Sequence, residues 1–162
     1  MRTRIVFYSR SGTTRLMAEA LAARLVAESS EITCAQYRPG LFGYIMAARS
    51  AIRRERPEIS VTEGDGKPDC LLIGSPIWVG RIAPPVRSYL ARLSDPPARV
   101  GMFLTSGGPP PHPKAQAEVA DLLGRAPDGW LMLREQDVRA GRHMDEIEDF
   151  LRDLTLHAGS TS

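Results

Sequence analysis

Three short segments carry residue types that could do chemistry. The first, Ser9-Arg10-Ser11-Gly12-Thr13-Thr14, gathers four hydroxyls, a glycine and a cation. A helix starting inside such a run offers unpaired N–H groups and the positive end of its macrodipole. With the hydroxyls, these donors suit a phosphate monoester. Ser and Thr also cap helices that bind nothing, so position decides, and this run follows directly on a strand. The second segment, Ser75-Pro76-Ile77-Trp78-Val79-Gly80-Arg81, places a large ring and a cation in a loop. The third, Thr105-Ser106-Gly107-Gly108, has adjacent glycines that let main-chain N–H groups come close to a ligand.

Several alternatives fail on these residues. Neither GxxxxGK(S/T) nor GxGxxG is present, which removes a P-loop nucleotidase and a dinucleotide-binding Rossmann protein. A cysteine-loop phosphatase would need a Cys in the first segment. A response regulator would need an Asp at the end of the third strand, where Gly74 and Ser75 stand. His112, His143 and His157 are scattered without ligand spacing, so no metal site is expected. Cys34 and Cys70 lack CxxC spacing, and each lies in a run that reads as a strand, which points to two buried free thiols.

The elements that must position these loops alternate along the chain. Thr3 to Tyr8 is short, branched and aromatic and reads as a buried strand. Met17, Leu21 and Leu25 then form one stripe of a helix. Glu31 to Tyr37 reads as a second strand. Leu41 to Arg54 reads as a second helix, ending before Pro57. Asp69 to Gly74 is a third strand, Pro85 to Leu93 a helix, Arg99 to Thr105 a fourth strand, Lys114 to Leu123 a helix, and Trp130 to Arg134 a fifth strand. A last helix places Met144, Ile147, Leu151 and Leu154 at helical spacing. Near-continuous apolar strands alternating with helices imply an α/β fold: a doubly wound, five-stranded parallel sheet in a three-layer α/β/α sandwich. Ligands in such folds bind beyond the carboxyl ends of the strands, where all three segments fall.

Length and composition fit this picture. The chain has 162 residues, 43% hydrophobic and 25% charged, which suits one domain over residues 1–158 with a frayed tail at 159–162. Its 21 basic and 19 acidic residues give a net charge of +2, which argues against a dedicated nucleic-acid binder. Arg49, Arg53, Arg54 and Arg56 form the densest basic group and read as a solvated helix face or an anion-docking surface. No apolar run approaches the roughly 18 residues of a membrane span, so a cytoplasmic location is expected.

The Ser-x-Ser-Gly-x-Thr pattern in YSRSGTTRLMAEAL resembles the phosphate loop of flavodoxins. DCLLIGSPIWVGRIAPPVRSYL resembles the third strand and flavin loop of short flavodoxin-family proteins, and RVGMFLTSGG their fourth strand and second flavin loop. The resemblance runs from about Arg4 to Leu154. It implies the strand order 2-1-3-4-5, with FMN at the switch between strands one and three, as in flavodoxin itself. It further implies that Ser9, Ser11, Gly12, Thr13 and Thr14 hold the FMN phosphate, with Arg10 beside it or turned to solvent. Trp78 would flank the isoalloxazine within the loop Ser75, Pro76, Ile77, Val79 and Gly80, and Gly80 would permit a peptide flip toward the flavin. Thr105, Ser106, Gly107 and Gly108 would approach the pyrimidine edge. This last loop holds no aromatic, which leaves the second flavin face open, and His112 nearby is either an acid or an incidental loop residue.

Two redox functions follow from the resemblance. One is an FMN electron carrier docking a partner protein. The other is a small oxidoreductase taking hydride from NAD(P)H and reducing a quinone or similar acceptor. Typical carriers of the family are strongly acidic and this chain is not. Arg81, if it reached the flavin, would stabilise negative charge on the reduced ring. The apolar run Leu41-Phe42-Gly43-Tyr44-Ile45 would either pack on its own sheet or cover a neighbour's flavin in a homodimer.

Overall fold

A computed structural model describes residues 1–37 and 40–156. Along the chain run β1 (Thr3–Phe7), α1 (Thr13–Leu25), β2 (Glu28–Glu31), α2 (Leu41–Ile52), β3 (Cys70–Trp78), β4 (Arg81–Ile82), α3 (Pro84–Arg92), β5 (Arg99–Ser106), α4 (Pro113–Leu123), β6 (Gly129–Arg134), α5 (Glu135–Arg139) and α6 (Met144–Leu156). Five strands pair in parallel in the order β2-β1-β3-β5-β6. The short β4 pairs antiparallel with the end of β3. With β4 set aside, the order is 2-1-3-4-5.

Side chains alternate across a strand, so a sheet covered on both faces needs apolar residues at successive positions. On one face, Ile5, Phe7, Leu72 and Phe103 pack with Met17 and Leu21 of α1 and Ile147, Phe150 and Leu154 of α6. On the other, Val6, Ile73, Met102 and Leu104 pack with Val86 and Leu90 of α3 and Val119 of α4. Fit is tight at the centre: a Cβ on Gly74 would lie 2.2 Å from the Phe103 ring. Among the described residues no helix is long and apolar enough to cross a membrane, and no group of His, Cys, Asp and Glu could hold a metal ion.

Several elements differ from the sequence reading. The second strand is Glu28–Glu31, not Glu31 to Tyr37. As an edge strand with β1 as its one neighbour, it forms through backbone pairing and needs no apolar run. Cys34 therefore sits half-buried in a loop and not in a strand, whereas Cys70 is buried in β3, where burial pushes its thiol up to about 11. The third strand runs four residues past Gly74. Pro76 falls beyond the last β1 pair, Phe7 with Gly74, where a residue lacking an N–H interrupts no ladder toward β1. In α6 the core positions are Ile147, Phe150 and Leu154, while Met144 is exposed and Leu151 only half-buried. The short α5 was not expected at all. The expected frayed tail, with His157, lies outside the described residues.

Candidate functional site

A cleft of about 490 Å³ opens at the carboxyl ends of β1 and β3. The loop after β1 lines it with Arg10 and Ser11, the β3–β4 hairpin with Pro76, Ile77, Trp78 and Val79, and the loop after β5 with Gly107. Gly40, Tyr44, Ala47 and Ala48 add a wall from α2, and Glu135 stands at the start of α5. Two larger hollows, about 580 and 550 Å³, lie at the opposite end of the sheet around Met1, Lys67 and Arg4. Neither has an aromatic side chain in its lining, and neither touches the loops at the strand ends where ligands of this architecture bind.

The loop after β1 is built around a left-handed Gly12 (φ 94°), which caps α1. Ser9 Oγ accepts from the N–H of Gly12 and of Arg15, both at 3.2 Å, so part of the helix start is satisfied internally. The N–H groups of Thr13 and Thr14 have no carbonyl four residues back within the helix. Thr14 is buried, with its hydroxyl 2.8 Å from that of Thr105, which ties this loop to β5. Thr13 Oγ1 lies 3.4 Å from Ser11 Oγ and accepts from Arg139 Nε at 3.2 Å. Arg139 also reaches the Ser11 carbonyl at 3.5 Å. A guanidinium only donates, so the Thr13 hydroxyl can give its own proton to Ser11 Oγ or to a ligand. Arg139 was invisible to local motif reading because it lies 126 positions from Thr13. The rule that ligands gather at carboxyl strand ends points to it, since it closes the short α5 that follows directly on β6.

Arg10 reaches from the loop after β1 toward α2 and the hairpin. Its Nη1 donates to the Gly43 carbonyl at 3.2 Å, and its guanidinium carbon lies 5.8 Å from the Tyr44 ring centre and 5.6 Å from that of Trp78. It thus crosses the cleft toward α2. Trp78 meets Tyr8 and Tyr37 in T-shaped contacts at 5.6 and 5.5 Å. Burial, more than any nearby charge, pushes the Tyr8 phenol up to about 12.

Ser75 and Arg81 face away from the cleft. The Ser75 hydroxyl is fully buried, donating to the Pro76 carbonyl at 2.8 Å and accepting from Ala83 N–H at 3.0 Å. Arg81 Nη1 stands 3.9 Å from Glu118 Oε2, and Glu118 is also ion-paired with the buried Arg87. Val79 (φ 53°) and Gly80 (φ 74°) form the hairpin tip. Two positive φ values match the right-handed strand twist of a tight hairpin, yet a β-branched residue is strained there.

In the loop after β5, Ser106 Oγ donates to the Gly108 carbonyl at 2.7 Å, with His112 Nε2 2.9 Å away. The hydroxyl has one proton, so His112 donates through Nε2. Desolvation holds this histidine below its usual value. Its geometry is that of a loop fastener. Thr105 and Ser106 are buried, and Gly107 alone of this segment lines the cleft.

A second ring in the cleft lining comes from another element, Tyr44 of α2. Among the described side chains at the apolar start of α2, Leu41 is 77% exposed, Tyr44 64% and Ile45 56%, whereas the small Ala47 is turned inward. The side chain of Phe42 lies outside the described residues.

No family model and no curated protein matches the chain. Solved structures do. A flavoprotein from Lactobacillus acidophilus NCFM, crystallised in complex with FMN, is 26% identical with a TM-score of 0.67, over 86% of this chain and 97% of that one. The apo form of the flavoprotein from the same organism, solved by NMR, is 26% identical with a TM-score of 0.62, over 82% and 91%. The flavodoxin, WrbA-like protein from Agrobacterium tumefaciens is 16% identical with a TM-score of 0.52, over 94% and 96%. By strand order, layering and these likenesses, the chain has a flavodoxin-like fold.

Proposed function

We propose that the chain binds FMN in the cleft and acts as a redox protein through it. The observation that carries this reading is the convergence of a hydroxyl-rich helix start, an aromatic hairpin and a glycine loop on one cleft at the sheet's carboxyl edge. The flavoprotein from Lactobacillus acidophilus, similar in fold and 26% identical, was crystallised with FMN. The donor set fits the group. Ser11, Thr13, the first N–H groups of α1 and Arg139 suit a phosphate monoester. Trp78 and Tyr44 offer ring surface, and Gly107 leaves main chain accessible. A cleft of about 490 Å³ falls within the usual range for small-molecule sites.

Bound FMN would supply electron or hydride transfer. The chain's own residues would bind and orient it. Thr13 and Ser11 donate to phosphate, the Thr14–Thr105 hydrogen bond keeps the first and third loops in register, and the hairpin fixes Trp78 against Tyr8 and Tyr37. Flavin uptake tests this directly. Purified protein is expected to turn yellow with FMN and quench its fluorescence at one equivalent; protein that stays colourless overturns the reading.

The reductase form of this function, with hydride from NAD(P)H and a quinone-type acceptor, is favoured over a pure carrier by two observations. The net charge of +2 lacks the acidity of a carrier that docks basic partners. The cleft wall also carries an arginine beside Trp78. NADPH consumption by the FMN-loaded protein with a soluble quinone supports the reductase; reduction only through a second protein supports the carrier. The exposed apolar start of α2 beside the cleft is the surface on which a redox partner or a second copy would sit.

A further inference from the structure

We propose that Arg10 holds positive charge against the flavin ring, so that the site binds reduced FMN more tightly than oxidised FMN. This deepens the FMN reading and rests on it. Among the arginines near the three loops, Arg10, Arg81 and Arg139 differ in what surrounds them. Arg81 faces Glu118 outside the cleft, a carboxylate that it shares with Arg87. Arg139 bonds Thr13 and Ser11 at the helix start, the end suited to phosphate. Arg10 alone of the three lines the cleft, with its guanidinium within 6 Å of the Trp78 and Tyr44 ring centres.

Its charge is also uncompensated. Among the described residues Arg10 pairs with no carboxylate, and its hydrogen bond goes to the neutral carbonyl of Gly43. Glu135, the carboxylate in the cleft lining, makes no ion pair with it. A guanidinium cannot give up its proton at accessible pH, so the cation persists whatever binds beside it. The carbonyl and the two rings hold it in place, so little reorganisation is needed to face a new charge. When an oxidised flavin takes up two electrons and one proton, the ring gains one negative charge. A fixed cation beside the ring stabilises that charge, and by linkage the protein then favours the reduced state.

The test is a pair of binding titrations on the full chain, with oxidised FMN in air and with dithionite-reduced FMN under anaerobic conditions. Wild type is expected to bind reduced FMN more tightly. Arg10→Gln should lose on the order of tenfold of that preference, the size of one charge-assisted contact. Arg10→Lys should keep most of it, and Arg81→Gln all of it. In Arg10→Gln the pH at which the reduced ring ionises, read from its ultraviolet spectrum, should rise. An unchanged preference in Arg10→Gln, or its loss in Arg81→Gln, overturns the proposal. If Arg10→Gln binds no flavin at all, Arg10→Lys decides: a preference near one in that variant also overturns it. The FMN reading fails separately, when wild type binds neither form.

Discussion

The two sides of the β3–β4 hairpin treat arginine in opposite ways. Behind it, Arg87 is 2% exposed and ion-paired with a Glu118 that is equally buried, with Arg81 at the margin of the pair. Arg87 also donates to the Glu55 carbonyl at 2.9 Å, which fixes the chain after α2. In front of it, Arg10 lies over Trp78 with no carboxylate partner among the described residues. A buried charge without a partner is too costly to keep, so the interior arginine comes with its glutamate. A charge at a cleft edge is hydrated when the cleft is empty, and so remains free to meet a ligand. The same residue type is structural on one side and receptive on the other.

The largest expected effect breaks this contrast from behind. Glu118→Ala strands the Arg87 charge in the core and should cost about 3–5 kcal/mol in urea unfolding. Arg10→Ala loses only cation–π contact and one hydrogen bond to a carbonyl, and should cost no more than about 1 kcal/mol. Similar losses in both variants would show that Arg10 is structural as well. Next in size is Arg139→Gln, which should weaken FMN binding by about tenfold or more, as expected for a lost charge-assisted hydrogen bond. Riboflavin, which lacks the phosphate, should bind the variant and wild type alike. Equal weakening of both ligands would place Arg139 with the scaffold.

The contrast also shows what the sequence could and could not reveal. Apolar runs located β1, the start of β3, β5 and β6, because a strand buried on both faces must be apolar throughout. Glu28–Glu31 escaped because an edge strand is held by backbone pairing to β1 and its side chains need not be apolar. The extension of β3 escaped because Pro76 reads as a breaker until the end of β1 is known to leave that side free. The loop after β1 was legible as a motif, yet the direction of Arg10 depends on α2 standing across the cleft, and the closure of Thr13 by Arg139 depends on the sheet order. Short-range spacing specifies which residues are available. Long-range packing decides where they point.

Two smaller effects sharpen the comparison within the loops. Val79 holds a left-handed φ of 53° at the hairpin tip while 56% exposed. Val79→Gly should relieve that strain, partly offset by chain entropy, and raise stability by about 0.5–1 kcal/mol in thermal melting. A loss of stability instead would mean that the valine side chain makes a contact worth more than its strain.

The smallest effect concerns the fastener of the third loop. Desolvation keeps His112 below the ordinary histidine value of 6.5 in the folded protein. As pH falls through that ordinary value, the unfolded chain takes up a proton that the folded loop still resists. The unfolded state then binds more protons, and stability declines toward acid, whereas above the ordinary value the histidine is neutral in both states and costs nothing. Melting temperatures between about pH 7.5 and 5.5, which bracket the histidine range, should therefore fall further for wild type than for His112→Gln. Parallel curves would show that the folded loop does not disfavour the charged ring, with the Ser106 contact offsetting desolvation. That outcome is chemically open to it, because Nε2 already donates in the neutral tautomer and charging the ring removes no hydrogen bond. The pH dependence thus isolates desolvation of the ring from the hydrogen bond it makes.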